Sequence, residues 1–279
     1  MIKLRAGFLT DPGHVREENE DSVWAQVVAP VSWAPIGLFV ICDGMGGHMG
    51  GKYASYWAVE AVKSEFGNLM AAKDPRATLV LTSEDVKAVQ QGTYHPPRTV
   101  ETDLEMVTKS AIQKANQVVY DYSKHKPRQA ANAGTTISMM ALRGPDAVIA
   151  NVGDSRTYLL RDHQLVQITR DHSLVASLVA EGQILPEEIY THPRRNMIYR
   201  YLGQRGLVQA DLFHQELKPG DFIVLCSDGL WEMLPDDHLI IEIIEQAEDP
   251  QSSCQALVDA ANQAGGEDNI SVVVVEVGS

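Results

Sequence analysis

Hydrophobic and polar positions along the chain fall into blocks of two different periods. Short runs of strand character occupy residues 5–10, 23–28 and 37–42, the last of them apolar at nearly every position. The spacing then changes. Ala54, Trp57, Ala58, Ala61 and Val62 recur at helical intervals and predict a long helix over residues 50–69. A second long helix is predicted over 103–123, where Met106, Val107, Ala111, Ala115, Val118 and Val119 form a broad apolar stripe. Strand character returns over 135–142, 147–152, 157–160 and 165–168. The links between these runs are too short for crossover helices, so the strands are expected to pair antiparallel. Another strand (221–227), two helices (236–246 and 252–264) and a last strand (271–277) complete the pattern.

Strand blocks lying between helix blocks predict an α+β fold, in which helices cover a sandwich of stacked antiparallel sheets, and not a βαβ repeat. No internal repeat or low-complexity tract interrupts the chain, and residues 1–279 read as one domain. Two stretches stand outside this plan. Residues 71–100 carry Asp74-Pro75 and His95-Pro96-Pro97, both breakers, and read as an insertion, either a docking element or a surface excursion. Residues 173–201 carry Pro186, Pro193 and the basic pair Arg194-Arg195, and read as a flap over a site or a long connection.

Composition narrows the function. With 44% hydrophobic residues in 279, the chain can bury a substantial core, which excludes a disordered protein. A formal net charge of −14 excludes nucleic acid as the main partner, because that surface must be rich in Lys and Arg. The acidic excess fits an ordinary solvated surface, and it also fits carboxylates gathered around cations. Cys42, Cys226 and Cys254 form no close-spaced pair, so neither a disulfide framework nor a zinc site is indicated. No window reaches the roughly 18 uninterrupted apolar residues of a membrane span, and residues 1–12 lack a signal-peptide core. A soluble cytoplasmic protein with no membrane partner, monomeric by default, is the expectation.

Chemistry gathers at the ends of strands. Asp43 ends the run Leu38-Phe39-Val40-Ile41-Cys42 and precedes Gly44, while Asp228 ends Ile223-Val224-Leu225-Cys226-Ser227 and precedes Gly229. Asp154 sits in a turn between two predicted strands, and Asp268 lies just before the last one. An apolar strand ending in Asp-Gly delivers a carboxylate to a sheet edge and lets backbone approach whatever it binds. Several carboxylates in one place would repel or protonate unless divalent cations joined them. Their all-oxygen character favours magnesium or manganese over zinc or copper. Near the N-terminus, Glu20 and Asp21 form a further acidic pair, with Arg16 a few residues earlier. Arginine's planar fork suits a phosphate, although a solvated turn explains the same residues.

Taken in order, these segments resemble the motif series of type-2C, metal-dependent protein serine/threonine phosphatases. The resemblance rests on Arg16 with Asn19-Glu20-Asp21-Ser22, Asp43-Gly44-Met45-Gly46-Gly47-His48 and Gly153-Asp154-Ser155-Arg156. It continues in Ser227-Asp228-Gly229-Leu230-Trp231 and Glu267-Asp268-Asn269-Ile270-Ser271. Thr169-Arg170-Asp171-His172-Ser173 and His192-Pro193-Arg194-Arg195-Asn196 resemble the bacterial branch. The resemblance implies a four-layer α-β-β-α sandwich with metals in a cleft at one end. By the same resemblance, Asp43 would bridge two Mn2+ or Mg2+ ions and Asp228 and Asp268 would complete one of them. The Gly44 carbonyl would serve the other, with Glu20 and Asp21 at or just outside it. Asp154 and Asp228 would hold a third, weaker ion. Asp43, Asp228 and Arg16 are the implied catalytic residues, Arg16 receiving the substrate phosphate. The implied reaction is hydrolysis of phosphoserine and phosphothreonine by a metal-activated water, on phosphoproteins made by a serine/threonine kinase.

One departure and two alternatives remain. Where many relatives carry a histidine after Asp-Gly, this chain has Met45, which cannot protonate a leaving group; His48 and His192 are substitutes only if their loops reach the site. The series Gly46-xxxx-Gly51-Lys52 mimics a nucleotide-binding loop, but Tyr53 stands where Ser or Thr must reach magnesium. An inactive phosphoprotein-binding module of the same fold is the other alternative, and retention of all four aspartates and Arg16 argues against it.

Overall fold

The computed structural model describes residues 2–29, 34–46, 49–70, 103–125 and 133–279, with the isolated positions 87 and 89. The insertion read over 71–100 therefore lies outside the described residues apart from those two positions, and so does His48.

Alternating strand residues build two facing sheets. One has the order β1 (Lys3–Asp11), β12 (Ile270–Gly278), β11 (Phe222–Cys226), β8 (Arg156–Arg161) and β9 (Gln164–Gln167). The other runs β10 (Asp211–Glu216), β7 (Asp146–Val152), β6 (Ile137–Arg143), β3 (Ile36–Cys42) and β2 (Ser22–Val28). Every pairing in both is antiparallel; the short links join partners in β2–β3, β6–β7 and β8–β9, whereas the short link between β7 and β8 crosses from one sheet to the other, so that expected pair does not form. Along β3, Phe39 and Ile41 point between the sheets and meet Ile223, Leu225, Val273 and Val275. Leu38, Val40 and Cys42 point the other way, against helices α1 (Met49–Met70) and α2 (Leu104–His125). On the far side, Val224, Cys226, Val272 and Val274 pack under α5 (Asp237–Gln246) and α6 (Pro250–Gln263). Three apolar layers between four structural layers give the α-β-β-α sandwich, and they explain why β3, β11 and β12 are apolar on both faces.

The predicted helices are present with shifted ends. Asp103 caps α2 through its Oδ1, which accepts from the Glu105 amide at 3.0 Å. Asp249 caps α6, so that helix begins at Pro250. Two residues assigned to apolar stripes turn outward: Trp57 and Met106 are exposed, because Ala54, Ala58 and Val62 and Ala111, Ala115 and Val119 already fill the contact faces. The strand expected over 135–142 is broken at Thr136. Gly134–Thr135 (β5) leaves the large sheet to pair with Gly44–Met45 (β4). The edge strand β10 was not expected. It mixes His214, Gln215 and Glu216 with Leu212 and Phe213 and shows little alternation. Residues 173–201 begin with α3 (Leu174–Ala180), capped by the Ser173 hydroxyl, and continue through a 3₁₀ turn at Pro186–Thr191. A four-residue helix, α4 (Asp228–Trp231), follows β11 directly.

Candidate metal centre

Strand register carries the acidic residues to one end of the sandwich. Ser22 pairs with Cys42, and Ile137 pairs with Val152, so the residues just beyond these pairs share an edge. Cys226 pairs with both Val272 and Arg156 at the matching edge of the other sheet. The turn 153–155 crosses from β7 in one sheet to β8 in the other. Asp43, Asp154, Asp228 and Asp268 consequently line a single cleft of about 540 Å³, together with Glu20, Gly44 and Arg16. All of the aspartates expected at strand ends meet there. Asp21 does not line the cleft. Its side chain is buried.

Backbone bonds hold this arrangement. The Asp43 amide donates to Thr136 Oγ1 at 3.0 Å, the Thr136 amide returns a bond to the Asp43 carbonyl at 2.9 Å, and Thr135 Oγ1 donates to the same carbonyl at 2.7 Å. These bonds are why the strand breaks at Thr136. Gly44 is a glycine because of close approach: a Cβ there would stand 2.3 Å from the Gly51 carbonyl oxygen and 2.4 Å from that of Glu20. Asn269 ties the N-terminal acidic loop to the site, accepting from the Glu20 amide at 2.8 Å and donating to the carbonyls of Pro12 and Glu18 at 2.9 and 3.0 Å. Arg16 stands at the rim, its Nη2 donating to Asp268 Oδ2 at 2.6 Å. A guanidinium has five N–H donors, and this bond engages one of them.

Electrostatics follow from burial. Asp21 is pushed up to about 8, first by loss of water and then by the Asp228 charge, against hydrogen bonds from Ser271 and Ser227. Asp228 is pushed up to about 7 by burial, Asp268 and Glu232. Burial and the neighbouring aspartates, Asp228 foremost, also hold Asp43 and Asp154 well above the usual carboxylate range.

The sequence pattern described as Protein phosphatase 2C matches residues 16–262. The chain belongs to the protein phosphatase 2C family. Serine/threonine phosphatase stp of Listeria monocytogenes is 35% identical to this family member over 273 residues, 98% of this chain and 96% of the relative. The Serine/threonine protein phosphatase PstP of Mycobacterium tuberculosis is 34% identical over 99% of this chain and 45% of that longer protein. The structure of the PstP catalytic domain in complex with two manganese ions superposes with a TM-score of 0.78 at 30% identity, covering 100% of both chains. Stp1 from Staphylococcus aureus superposes equally well, with a TM-score of 0.78 at 30% identity over 99% of this chain and 96% of that one.

In this protein phosphatase 2C family member, the residues fit hard divalent cations. Their donors are all oxygen, and the buried Asp21 Oδ2 has no hydrogen-bond partner. Among the described residues, no group of three His, Cys, Asp or Glu side chains stands ready to hold a metal ion. Sequence reasoning missed the braces: Thr136, Asn269 and Trp231, and also Asn196 and Ile198 of the 173–201 segment, which line the cleft. Asn269, Trp231 and Asn196 stood in the quoted motifs without a role, and nothing local marked Thr136 or Ile198. His192 does not line the cleft; its Nδ1 accepts from the Arg194 amide at 3.1 Å.

Proposed function

We propose that this chain is a metal-dependent protein serine/threonine phosphatase whose cleft hydrolyses phosphoserine and phosphothreonine in proteins. The observation that carries the reading is the meeting of Asp43, Asp154, Asp228 and Asp268 in one cleft with Arg16 at its rim. Asp43, Asp228, Asp268 and the Gly44 carbonyl would hold two Mn2+ or Mg2+ ions, with Glu20 and Asp21 supporting them. Asp154 and Asp228 would hold a third, weaker one. Bound there, the cations would supply Lewis acidity and an activated water as nucleophile.

The chain's own residues then orient the substrate. Arg16 aligns the phosphoryl oxygens through its remaining donors. Asn196 and Ile198 border the space beside the phosphate, where peptide flanking the phosphorylated residue would lie. This placement supports the reading of residues 173–201 as a flap on one 279-residue phosphatase domain. Met45 faces the cleft and cannot donate a proton, and among the described residues no histidine lines it. Suitable substrates are the products of a serine/threonine kinase. No helix among the described residues is long and apolar enough to cross a membrane. Retention of every carboxylate leaves nothing in the cleft that favours an inactive binding module.

The test is phosphate release from a phosphothreonine peptide with Mn2+, with Mg2+ and with a chelator. Turnover should need the metal, and Asp43→Asn should lower it by at least about a hundredfold with unchanged circular dichroism. Turnover by Asp43→Asn at the native rate would refute the site.

A further inference from the structure

The segment Thr169-Arg170-Asp171-His172-Ser173 is unused by the mechanism above, yet its histidine occupies a junction. His172 is 2% exposed. Its ring Nδ1 accepts from the Gly153 amide at 3.0 Å, and its own amide donates to the Gly153 carbonyl at 2.8 Å. Two bonds thus grip the residue immediately before Asp154. Gly153 has φ +112°, and a Cβ there would stand 2.6 Å from Thr136 Cγ2, so the turn has few other ways to sit.

The opposite edge of the ring is also held. Nε2 lies 3.4 Å from Asp211 Oδ2, and Arg200 Nη1, 2.9 Å from Nε2, donates to Asp211 Oδ1 at 2.8 Å. A neutral imidazole has one proton. With Nδ1 turned to the Gly153 amide, Nε2 is the edge that faces the Arg200–Asp211 ion pair. Burial and the Arg200 charge keep the ring pKa below its ordinary value, which preserves the acceptor.

His172 is also the base of the flap. Its carbonyl accepts from the Tyr199 amide at 2.9 Å, Leu174 donates to the Met197 carbonyl at 2.8 Å, and Ser173 bridges Ile198. The Tyr199 ring lies against the imidazole at 5.9 Å. Asn196 and Ile198, just before this closure, line the cleft beside Asp154.

We propose that His172 is a positioning residue: it locks the Gly153–Asp154 turn, sets the Asp154 carboxylate for its cation, and ties that carboxylate to the flap that borders the substrate. The proposal rests on the reading of Asp154 as a cation ligand. Groups that orient ligands from behind typically change metal affinity by about 10–100-fold, so the effect belongs in binding as well as in turnover.

The experiment is calorimetric titration of the full chain with Mn2+, native and in four variants. Asp154→Asn should lose the weakest Mn2+, and if it binds the native complement the ligand reading itself fails. His172→Leu, similar in bulk but without an acceptor, should weaken that same Mn2+ by about tenfold or more and leave tighter ions unchanged. His172→Asn places its oxygen near the Nδ1 position and should restore affinity to within about threefold. His172→Gln carries its amide near the Nε2 position and should resemble His172→Leu. Native Mn2+ affinity in His172→Leu overturns the proposal. If that variant does not fold, equal affinity in His172→Asn and His172→Gln overturns it instead.

Discussion

Trp231 donates a hydrogen bond from its indole Nε1 to the backbone carbonyl of Asp154 at 3.1 Å. Trp231 ends the short helix that Asp228 begins, so the segments that carry two cleft aspartates are cross-linked by one side chain. The Arg156 guanidinium stacks on the same indole at 3.5 Å. Asp171 in turn holds Arg156 through Nε at 3.0 Å and Nη2 at 2.7 Å, with both partners buried.

Trp231→Phe keeps an aromatic face for Arg156 and removes the donor. The Asp154 carbonyl would lose that partner in a buried setting, at an expected cost of about 1–3 kcal/mol. Urea unfolding checks this, and an unchanged midpoint would show that the bond carries no stability.

Metal removal should make stability depend on pH. Asp21 and Asp228 rise from 3.8 to about 8 and about 7 on folding, so the folded chain binds more protons than the unfolded one across that window. Stability of the chelated protein is therefore highest below about pH 4 as far as these groups are concerned, and it falls as pH rises toward 8. Mn2+ bound at these carboxylates would hold them ionised and offset the loss. The melting temperature with Mn2+ should exceed that with chelator by a margin that widens from pH 5 to pH 8. A constant margin would mean that the ions bind elsewhere.

Gly44→Ala should be damaging and Gly67→Ala harmless. The first would place a methyl against the backbone of Gly51 and Glu20, whereas nothing lies within 4 Å of a Cβ on Gly67, inside α1. Overpacking at Gly44 is expected to cost about 1–3 kcal/mol and to displace Glu20, with metal-dependent turnover lost. Gly67→Ala should be neutral or gain about 0.5–1 kcal/mol of stability. Thermal unfolding of the two single variants decides the contrast.

Arg195 fastens the 173–201 segment beside the cleft, with Nε 3.1 Å from Glu232 Oε2 and Nη2 3.5 Å from Glu267 Oε2. Replacing residues 175–196 by a short flexible linker should lower kcat/KM for a phosphothreonine peptide about tenfold more than for a small aryl phosphate, since only the peptide uses remote binding. Equal losses on both substrates would show that the segment acts on the metal centre and not on peptide access.

Much of this protein was legible without its structure. Strand blocks lying between helix blocks announced helices over stacked antiparallel sheets, and the repeated Asp-Gly after β3 and β11 announced carboxylates at strand ends. These are local signals, because side-chain alternation and turn chemistry are set by adjacent residues. Edge strand β10 escaped because only part of each face is buried, which leaves no clear alternation to read. Thr136, a polar residue in an apolar run, broke its strand for a partner that lies at Asp43. The grip of His172 on Gly153 and of Trp231 on Asp154 joins residues far apart in the chain, with no periodicity to betray either pair. Asp21 likewise reads as one more acidic residue in a turn, and only tertiary packing takes it out of water. Local patterning thus determined which residues could serve the site. Strand register and long-range hydrogen bonding decided which ones meet, because burial and charge repulsion depend on neighbours in space, not on neighbours in sequence.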